Sequence, residues 1–259
     1  MLTAATLFSN SKGNSVFVAS GKTKILIDAG VSACHIERAL ANMGESIGDI
    51  AAILITHEHI DHVRSAGTLS RRYDIPICAA PKVWEEYSGF GNIKLKNQVQ
   101  YEYGMAIGDL ELDFFKTYHD AIQPLGITVT NGKHKLGVCT DTGKITDTMV
   151  KALRDSEVLV FEANHDPEML RRSSYPAKTK RRISSEWGHL SNADSGQALV
   201  RIITDKTRCI ALAHLSDENN DPQLAYATVM AALEDEGVDK MPKIQVAPAG
   251  HTSKVMVIE

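Results

Sequence analysis

Cysteine is scarce in this sequence. The four cysteines, Cys34, Cys78, Cys139 and Cys209, are scattered and form no CxxC pair. Cysteine pairs at short spacing mark zinc ribbons, and cysteine-dense short chains form secreted disulfide frameworks, so both classes are excluded. We expect the four thiols to be small, buried, hydrophobic side chains of a protein in the reducing cytoplasm.

Long hydrophobic runs and an excess of positive charge are also missing. No apolar run approaches the ~18 residues of a membrane span. The opening MLTAATLFSNSKGNS lacks the basic start and apolar core of a signal peptide. With 28 lysines and arginines against 32 aspartates and glutamates, the net charge is −4. The chain as a whole is therefore not an electrostatic nucleic-acid binder, and we expect no membrane partner.

Short predicted strands and helices alternate irregularly along the chain. Apolar runs bounded by turn residues predict strands at 16–19, 24–28, 51–56, 76–80, 110–117, 126–130, 135–140, 158–162, 208–213 and 243–247. Helical spacing and capping signals predict helices at 145–154, from Ser191 to about 203, and from Asp221 to Gly237. Asn131-Gly132 predicts a hairpin turn. No repeat or linker interrupts the pattern, so we predict one layered α/β domain, residues 1–259, with a mixed sheet.

The segment His57-Glu58-His59-Ile60-Asp61-His62 concentrates metal ligands directly after the predicted buried strand 51–56. In extended chain His57 and His59 point to the same side, whereas a turn after them directs Asp61 and His62 elsewhere. One stretch thus supplies two histidines to one cation and an Asp–His pair to a second, with Glu58 facing away. Imidazole and carboxylate suit zinc, and less selectively manganese or iron. The alternative, a polar surface loop, would leave this density of ligand types to chance.

Further candidate ligands stand at the ends of other predicted strands, where α/β proteins place their sites. They are His119, Asp141 and His214, with His189 just before a predicted helix. Taken singly, Asp141 would be a turn aspartate, and the histidines would be solvated loop residues. As a set, they favour metal binding. Three histidines without such a context are predicted to be surface or structural residues: His35, His134 and His251.

These residues together resemble the pattern of the metallo-β-lactamase-fold hydrolases. The HxHxDH motif of that family stands at 57–62, its early strand-end aspartate matches Asp28 in ILIDAG, and its later ligands match His119, Asp141 in TDTG, and His214. The stretches FSNSKGNS, FEANHDPEML, GHLSNADSGQAL and ALAHLSDENNDPQLA are similar to the YycJ/WalJ (VicX) branch, which is related to nucleic-acid-processing members such as ribonuclease Z. That branch usually opens with SGSSGN, whereas this chain has SNSKGN at 9–14.

The resemblance implies a four-layer αββα sandwich, in which two mixed sheets pack face to face with helices outside. It implies two divalent cations, Zn or Mn with Fe as an alternative, which hold a bridging hydroxide as the nucleophile. One cation would be bound by His57, His59 and His119, the other by Asp61, His62 and His214, and Asp141 would bridge them. Asp28 would orient a ligand or a strand end. His165 would lie near the metals, or else cap the helix that begins near Pro167.

His189 is the candidate that protonates the leaving oxygen, while Asp61 and Asp141 act through the metals. It precedes the predicted helix start at Ser191-Asn192, whose backbone N–H groups suit a phosphate. The alternative is a histidine that only caps or packs. Ser191 and Asn192 either donate to phosphate oxygens or cap the helix, and we expect capping for at least one of them.

Basic residues concentrate just before His189. Without six of them, 22 basic residues face 32 acidic ones; the six are Arg171, Arg172, Lys178, Lys180, Arg181 and Arg182. A basic strip beside a two-metal site suits a phosphodiester backbone, and the predicted contacts are Lys178, Arg181 and Arg182. Tyr175 and Trp187 bracket part of the strip and are candidates for stacking on bases. The alternative is a solvated basic helix.

We therefore predict a metal-dependent phosphodiesterase or nuclease, with DNA as the partner and exonuclease action from a 5′ end, as the resemblance suggests. Two other functions on the same fold stay open. One is a small-molecule hydrolase acting on a cyclic phosphodiester, thioester or lactone, and the other is a tRNA-processing endonuclease similar to ribonuclease Z. A non-catalytic regulatory protein is disfavoured by the complete ligand set.

Overall fold

The computed structural model describes residues 1–101 and 103–259. Its strands, in chain order, are β1 (Leu2–Asn10), β2 (Gly13–Ser20), β3 (Thr23–Ile27), β4 (Ala52–Leu54), β5 (Ile77–Ala79), β6 (Gln98–Gln100), β7 (Gly104–Ile107), β8 (Leu110–Lys116), β9 (Leu125–Thr130), β10 (Lys135–Cys139), β11 (Val158–Glu162), β12 (Cys209–Ala213), β13 (Lys243–Val246) and β14 (Met256–Ile258). Its α-helices are α1 (Ala33–Asn42), α2 (Ile60–Val63), α3 (Ala66–Tyr73), α4 (Pro81–Glu86), α5 (Asp147–Leu153), α6 (Pro167–Arg172), α7 (Ala177–Ile183), α8 (Asn192–Ile202) and α9 (Pro222–Asp235).

The strands form two mixed sheets. Over the described residues each sheet has seven strands, in the order β14-β1-β2-β3-β4-β5-β6 and β13-β12-β11-β10-β9-β8-β7. In the first sheet the strands from β14 to β3 pair antiparallel and those from β3 to β6 pair parallel. In the second sheet β7 to β10 pair antiparallel and β10 to β13 parallel. Each sheet therefore consists of an antiparallel half and a parallel half.

The two sheets share a hydrophobic core. One buried cluster contains residues of both sheets, including Leu26 of β3 and Ile127 of β9. A second cluster packs the outer face of the second sheet against α8 and α9, with Phe161, Leu199 and Val229 among its members. Every residue of β4 and β11 is buried, as expected where one face meets the other sheet and the opposite face meets helices. The predicted αββα sandwich is confirmed.

Most predicted elements are confirmed. Asn131-Gly132 joins β9 and β10, which pair antiparallel. The side chains of Ser191 and Asp221 cap α8 and α9, the two late helices of the prediction. The sequence pattern did not predict β1, because threonine and serine interrupt its apolar residues, and it did not predict the short strands β6, β7 and β14. Within the part of the chain that the structure describes, no helix is long and apolar enough to span a bilayer.

The expectation that all four cysteines are buried is wrong for Cys34. Cys78 and Cys139 are buried and Cys209 is half-buried, but Cys34 is exposed. The reason is the helical period of α1, which buries Ile36 and Leu40 and turns Cys34 towards solvent.

Candidate metal centre

The candidate metal ligands lie where strands of both sheets end. Asp28 follows β3, and the 57–62 segment follows β4, both in the first sheet. Asp141 and His214 follow β10 and β12 of the second sheet. Asp28, Asp141 and His214 each have a positive φ, between 56° and 63°. This left-handed backbone turns the chain sharply at the strand end, and it is a conformation that residues other than glycine adopt at a cost, often at functional sites.

The structure brings all seven predicted ligands together. Over the described residues, four sets each offer ligand atoms that lie within 4.8 Å of one another, namely His57–His59–His119, Asp61–His62–His214, His57–His62–Asp141 and Asp141–Glu162–His189–His214. The first two are the sets expected for two cations. Asp141 lies between them, with one carboxylate oxygen 3.2 Å from His62 Nε2 and the other 3.7 Å from His119 Nε2. This is the position that a bridging ligand would occupy.

Buried polar atoms without a hydrogen-bond partner show that the donor set fits a cation. In the described part of the chain these atoms include His57 Nε2, His214 Nε2 and Asp141 Oδ2. A buried polar atom that is left unpaired is costly, because it has lost its hydrogen bonds to water. His57 shares one set of mutually close ligand atoms with Asp141, and Asp141 shares another with His214. All three offer imidazole or carboxylate, so divalent metal binding would satisfy them.

The Nδ1 atoms of three buried histidines of the cluster, His62, His119 and His214, are each held by a neighbour. His62 Nδ1 donates to Asp28 Oδ2 at 2.8 Å, and His119 Nδ1 donates to the Gly188 carbonyl at 3.0 Å. His214 Nδ1 lies 3.1 Å from Glu162 Oε1. Such partners fix the ring orientation and the tautomer, which leaves Nε2 free to bind a metal. The predicted orienting role of Asp28 agrees with these contacts, since Asp28 also accepts the Thr56 N–H at 2.9 Å.

Burial and neighbouring charge set the protonation of the centre. Burial lowers the pKa of His57 well below its ordinary value and lowers that of His119 to about 4, so both rings are neutral and able to bind metal. Burial opposes protonation of His214 as well, but Asp141 and the other carboxylates raise its pKa to about 10. The carboxylates therefore draw positive charge into the cluster, and a divalent cation would compete for the same atoms as these protons.

Sequence reasoning missed Glu162, at the end of β11. Its side chain is fully buried and binds His189 Nδ1 at 2.8 Å, His214 Nδ1 at 3.1 Å and the Thr142 N–H at 3.0 Å. Burial would raise the pKa of Glu162, but His189 holds it at about 2, so the carboxylate is ionised. The available signal was its position, since the strand-end rule applied to His119, Asp141 and His214 also applies to the strand 158–162.

Of the residues predicted to act on the substrate, His189 lies at the cleft, Ser191 caps a helix and Asn192 is buried. His189 lines the cleft together with His119, Asp141 and His214. The Ser191 hydroxyl accepts the Asp194 N–H and caps α8. Asn192 does not fit a substrate-binding role, because its amide is fully buried and paired with Asn220.

His165 does not cap the helix near Pro167. Asp166 caps α6, and its side chain accepts the Met169 N–H at 2.8 Å. His165 is itself buried, and its carbonyl accepts the Asn192 N–H at 2.8 Å. Glu58 faces away from the cluster as expected, because it accepts the Ile122 N–H.

The basic strip is shorter than its sequence suggested. Arg171 and Arg172 pair with Glu168 on α6, and the Lys180 ammonium is bound to backbone carbonyls. On α7, Lys178 and Arg181 are exposed, and neither pairs with a carboxylate over the ranges 1–101 and 103–259. Arg182 lines the cleft and forms two contacts with Asp120, at 2.5 and 2.8 Å. Tyr175 lines the same cleft, whereas Trp187 does not.

Fold and site together define the class of this protein. A family profile described as a beta-lactamase superfamily domain matches residues 23–212. The chain belongs to this superfamily, in its metallo-β-lactamase fold.

Individual relatives place it in the predicted branch. The chain is 40% identical over 234 residues to exodeoxyribonuclease YycJ of Bacillus anthracis, covering 89% of each chain. It is 37% identical over 232 residues to exodeoxyribonuclease WalJ of Streptococcus pneumoniae serotype 2 strain D39, covering 88% of this chain and 86% of that one. Among solved structures, the metallo-β-lactamase-fold protein YhfI of Bacillus subtilis superposes with a TM-score of 0.72 at 12% identity, covering 97% of this chain and 98% of that one. The last likeness concerns the fold alone.

Proposed function

We propose that this protein is an exodeoxyribonuclease that depends on two divalent metal ions. The observation that carries the proposal is the cluster of seven imidazole and carboxylate side chains at the ends of the strands. Buried atoms of this cluster, namely His57 Nε2, His214 Nε2 and Asp141 Oδ2, have no hydrogen-bond partner among the described residues. The relatives named exodeoxyribonuclease YycJ and WalJ, at 40% and 37% identity, support DNA as the substrate and removal of nucleotides from an end as the action.

The ligand assignment follows the two clusters. His57, His59 and His119 would hold one cation, Asp61, His62 and His214 the other, and Asp141 would contact both. Bound divalent cations supply an activated water and neutralise the charge that develops on a phosphoryl oxygen. The native metal is proposed to be zinc or manganese, with iron as an alternative.

His189 is proposed to protonate the leaving oxygen. Its Nδ1 donates to Glu162 at 2.8 Å, so the carboxylate fixes the orientation of the ring and leaves the other nitrogen, Nε2, for proton transfer. The ring is half-buried and lines the cleft, where a bound phosphodiester would reach it. Glu162 would act through His189 and His214 rather than on the substrate.

Helix α7 would bind the phosphodiester backbone. Arg182 lines the cleft and is oriented by Asp120, whereas Lys178 and Arg181 are exposed on the same helix outside the cleft lining. Ammonium and guanidinium groups beside a metal site attract a polyanion and release its condensed counterions. The other parts of the chain are acidic, so this attraction is local.

The test combines metal analysis with an assay on nucleic acid. Purified protein is expected to contain close to two divalent ions per chain and to shorten end-labelled DNA by single nucleotides in the presence of Mn²⁺ or Zn²⁺. End-labelled RNA and an internally labelled circular DNA, which has no ends, serve as comparison substrates. Intact linear DNA under all metal conditions would contradict the proposal. Cleavage of circular DNA would replace the exonuclease by an endonuclease.

A further inference from the structure

A second depression, of about 370 Å³, lies beside the metal centre. Its lining includes His119, which also lines the main cleft, so the two cavities adjoin at this ligand. Helix α7 contributes to the main cleft through Thr179 and Arg182 but contributes no lining residue to the second depression. The second depression instead takes Lys82, Lys116 and Trp187 from three separate parts of the chain.

The two lysines of this depression form no ion pair in the described part of the chain. Over the described ranges, none of its lining residues is acidic, and neither Lys82 nor Lys116 pairs with a carboxylate. Another basic depression, around Lys133, Lys135 and Lys206, differs in this respect because Glu111, Asp155 and Glu157 line it as well. Free ammonium groups beside a metal centre in an otherwise acidic protein indicate an anionic occupant.

An exposed aromatic ring accompanies these cations. Trp187 is 48% exposed, and its ring packs at 5.5 Å against that of Tyr118. Lys116 Nζ lies 5.8 Å from the centre of the Trp187 ring. Proteins that bind single-stranded nucleic acid combine an aromatic platform for a base with cations for the adjacent phosphate.

The backbone of Trp187 ties this platform to the centre. Its carbonyl accepts the Asp120 N–H at 3.1 Å, and the next carbonyl, that of Gly188, accepts from His119 Nδ1 at 3.0 Å. The Gln123 side chain accepts the Lys82 N–H at 3.2 Å, which links the start of α4 to the loop after His119. The backbone of Trp187 and that of Lys82 are therefore linked to the loop that carries the metal ligand His119.

We infer that Lys82, Lys116 and Trp187 form a binding subsite for an unpaired nucleotide, in the depression that adjoins the main cleft at His119. This inference rests on the proposed nuclease function and adds to it a substrate class, single-stranded nucleic acid that contacts both cavities. A base inside a duplex is stacked on both faces and has no face left for Trp187. The base that stacks there therefore belongs to a single strand or to the terminal, frayed part of a duplex.

The test is a comparison of variants in the exonuclease assay on single-stranded DNA of increasing length. Trp187→Ala is expected to raise KM by about 5- to 150-fold, the loss of one base–aromatic stack, with a much smaller change in kcat. Trp187→Phe is expected to restore most of the affinity, since it keeps a ring for stacking. A merely structural role would lower kcat and would not depend on substrate length.

The lysines are tested by salt dependence. Lys82→Ala and Lys116→Ala are each expected to reduce the slope of log affinity against log salt by about 0.7. Lys22→Ala removes an exposed lysine in the turn between β2 and β3 and serves as the matched control with an unchanged slope. If the wild-type protein cleaves DNA, and the Trp187 and Lys116 variants keep its KM and its salt slope, this inference alone is overturned. Failure of the wild-type protein to cleave any nucleic acid would overturn the proposed function and the inference together.

Discussion

At the scale of single residues, the centre depends on side chains with very different local environments. Asp141 is buried beside His62, His119 and His214, and one of its oxygens has no hydrogen-bond partner among the described residues. Glu162 is equally buried, but both of its oxygens accept hydrogen bonds. The first arrangement suits a residue that contacts a metal, and the second suits one that holds other residues in place.

Replacing Asp141 tests the bridging assignment. Asp141→Ala is expected to abolish nuclease activity and to lower the metal content, because both clusters lose the carboxylate between them. Elemental analysis and the end-labelled DNA assay measure the two effects. An active variant with full metal content would remove Asp141 from the ligand set.

Glu162→Gln tests the positioning role. The amide keeps the shape but removes the charge that orients His189 and His214, so kcat is expected to fall by about 10- to 100-fold. The matched control is Glu157→Gln, since Glu157 is also buried and binds a histidine, His134, at 2.8 Å outside the metal centre. Equal losses of activity in the two variants would indicate a general effect on stability rather than a role in the site.

At the scale of structural elements, a glycine keeps the ligand segment in place. Gly30 follows β3, and a Cβ atom there would lie 1.6 Å from the Asp61 carbonyl and 2.7 Å from the Asn14 nitrogen. The Asn14 amide itself lies 3.2 Å from His62 Nε2. The SNSKGN turn and the start of α2 therefore pack around a position that has no room for a side chain.

Gly30→Ala is expected to displace the segment 57–62. The overlap is with backbone, so the segment must shift, and the variant is expected to lose metal and to unfold at a lower temperature. Gly250→Ala is the control, because nothing lies within 4 Å of a Cβ at that position. Normal metal content in Gly30→Ala would show that the ligand segment tolerates the shift.

Helix α7 distinguishes a nuclease from a small-molecule hydrolase. The double substitution Lys178→Ala with Arg181→Ala is expected to weaken DNA binding and to lower the salt slope by about 1.4, as two phosphate contacts require. Metal content should stay unchanged, since neither side chain belongs to the cluster. Lys151→Ala on α5 removes an exposed cation elsewhere and is the control. An unaltered salt slope in the double variant would favour the small-molecule alternative.

At the scale of the whole molecule, the two sheets meet in one hydrophobic cluster, and the centre lies where their strands end. We propose on this basis that the chain is one domain that unfolds as a unit. The buried ligands come from both sheets, so metal binding links the sheets directly.

Metal removal is therefore expected to destabilise the entire fold. A metal at 100 times its Kd adds about 2.7 kcal/mol to the free energy of unfolding, and each kcal/mol shifts the Tm of a chain of this size by roughly 2–4 °C. Chelation should lower Tm by several degrees, and added Zn²⁺ or Mn²⁺ should restore it. An unchanged Tm after verified loss of metal would contradict this link.

Much of the site was predictable because its signals are local. Two histidines separated by one residue after a buried strand, and a polar residue at each later strand end, are visible in a single sequence. The same holds for the caps at Ser191 and Asp221, which depend on neighbouring residues alone. The alternation of strands and helices predicted a layered α/β domain with a mixed sheet, whereas the two packed sheets were implied only by the family resemblance.

Tertiary structure decided what depends on residues distant in sequence. It buried Asn192 against Asn220, paired Arg182 with Asp120, and placed Glu162 between two histidines. It also separated Trp187 from Tyr175, which the sequence had assigned to one strip. The sequence by itself determined the ligand types and the strand ends that carry them, because spacing along a chain sets local direction. Only the packing of two sheets determined which of these ends meet, because such contacts join residues far apart in the chain.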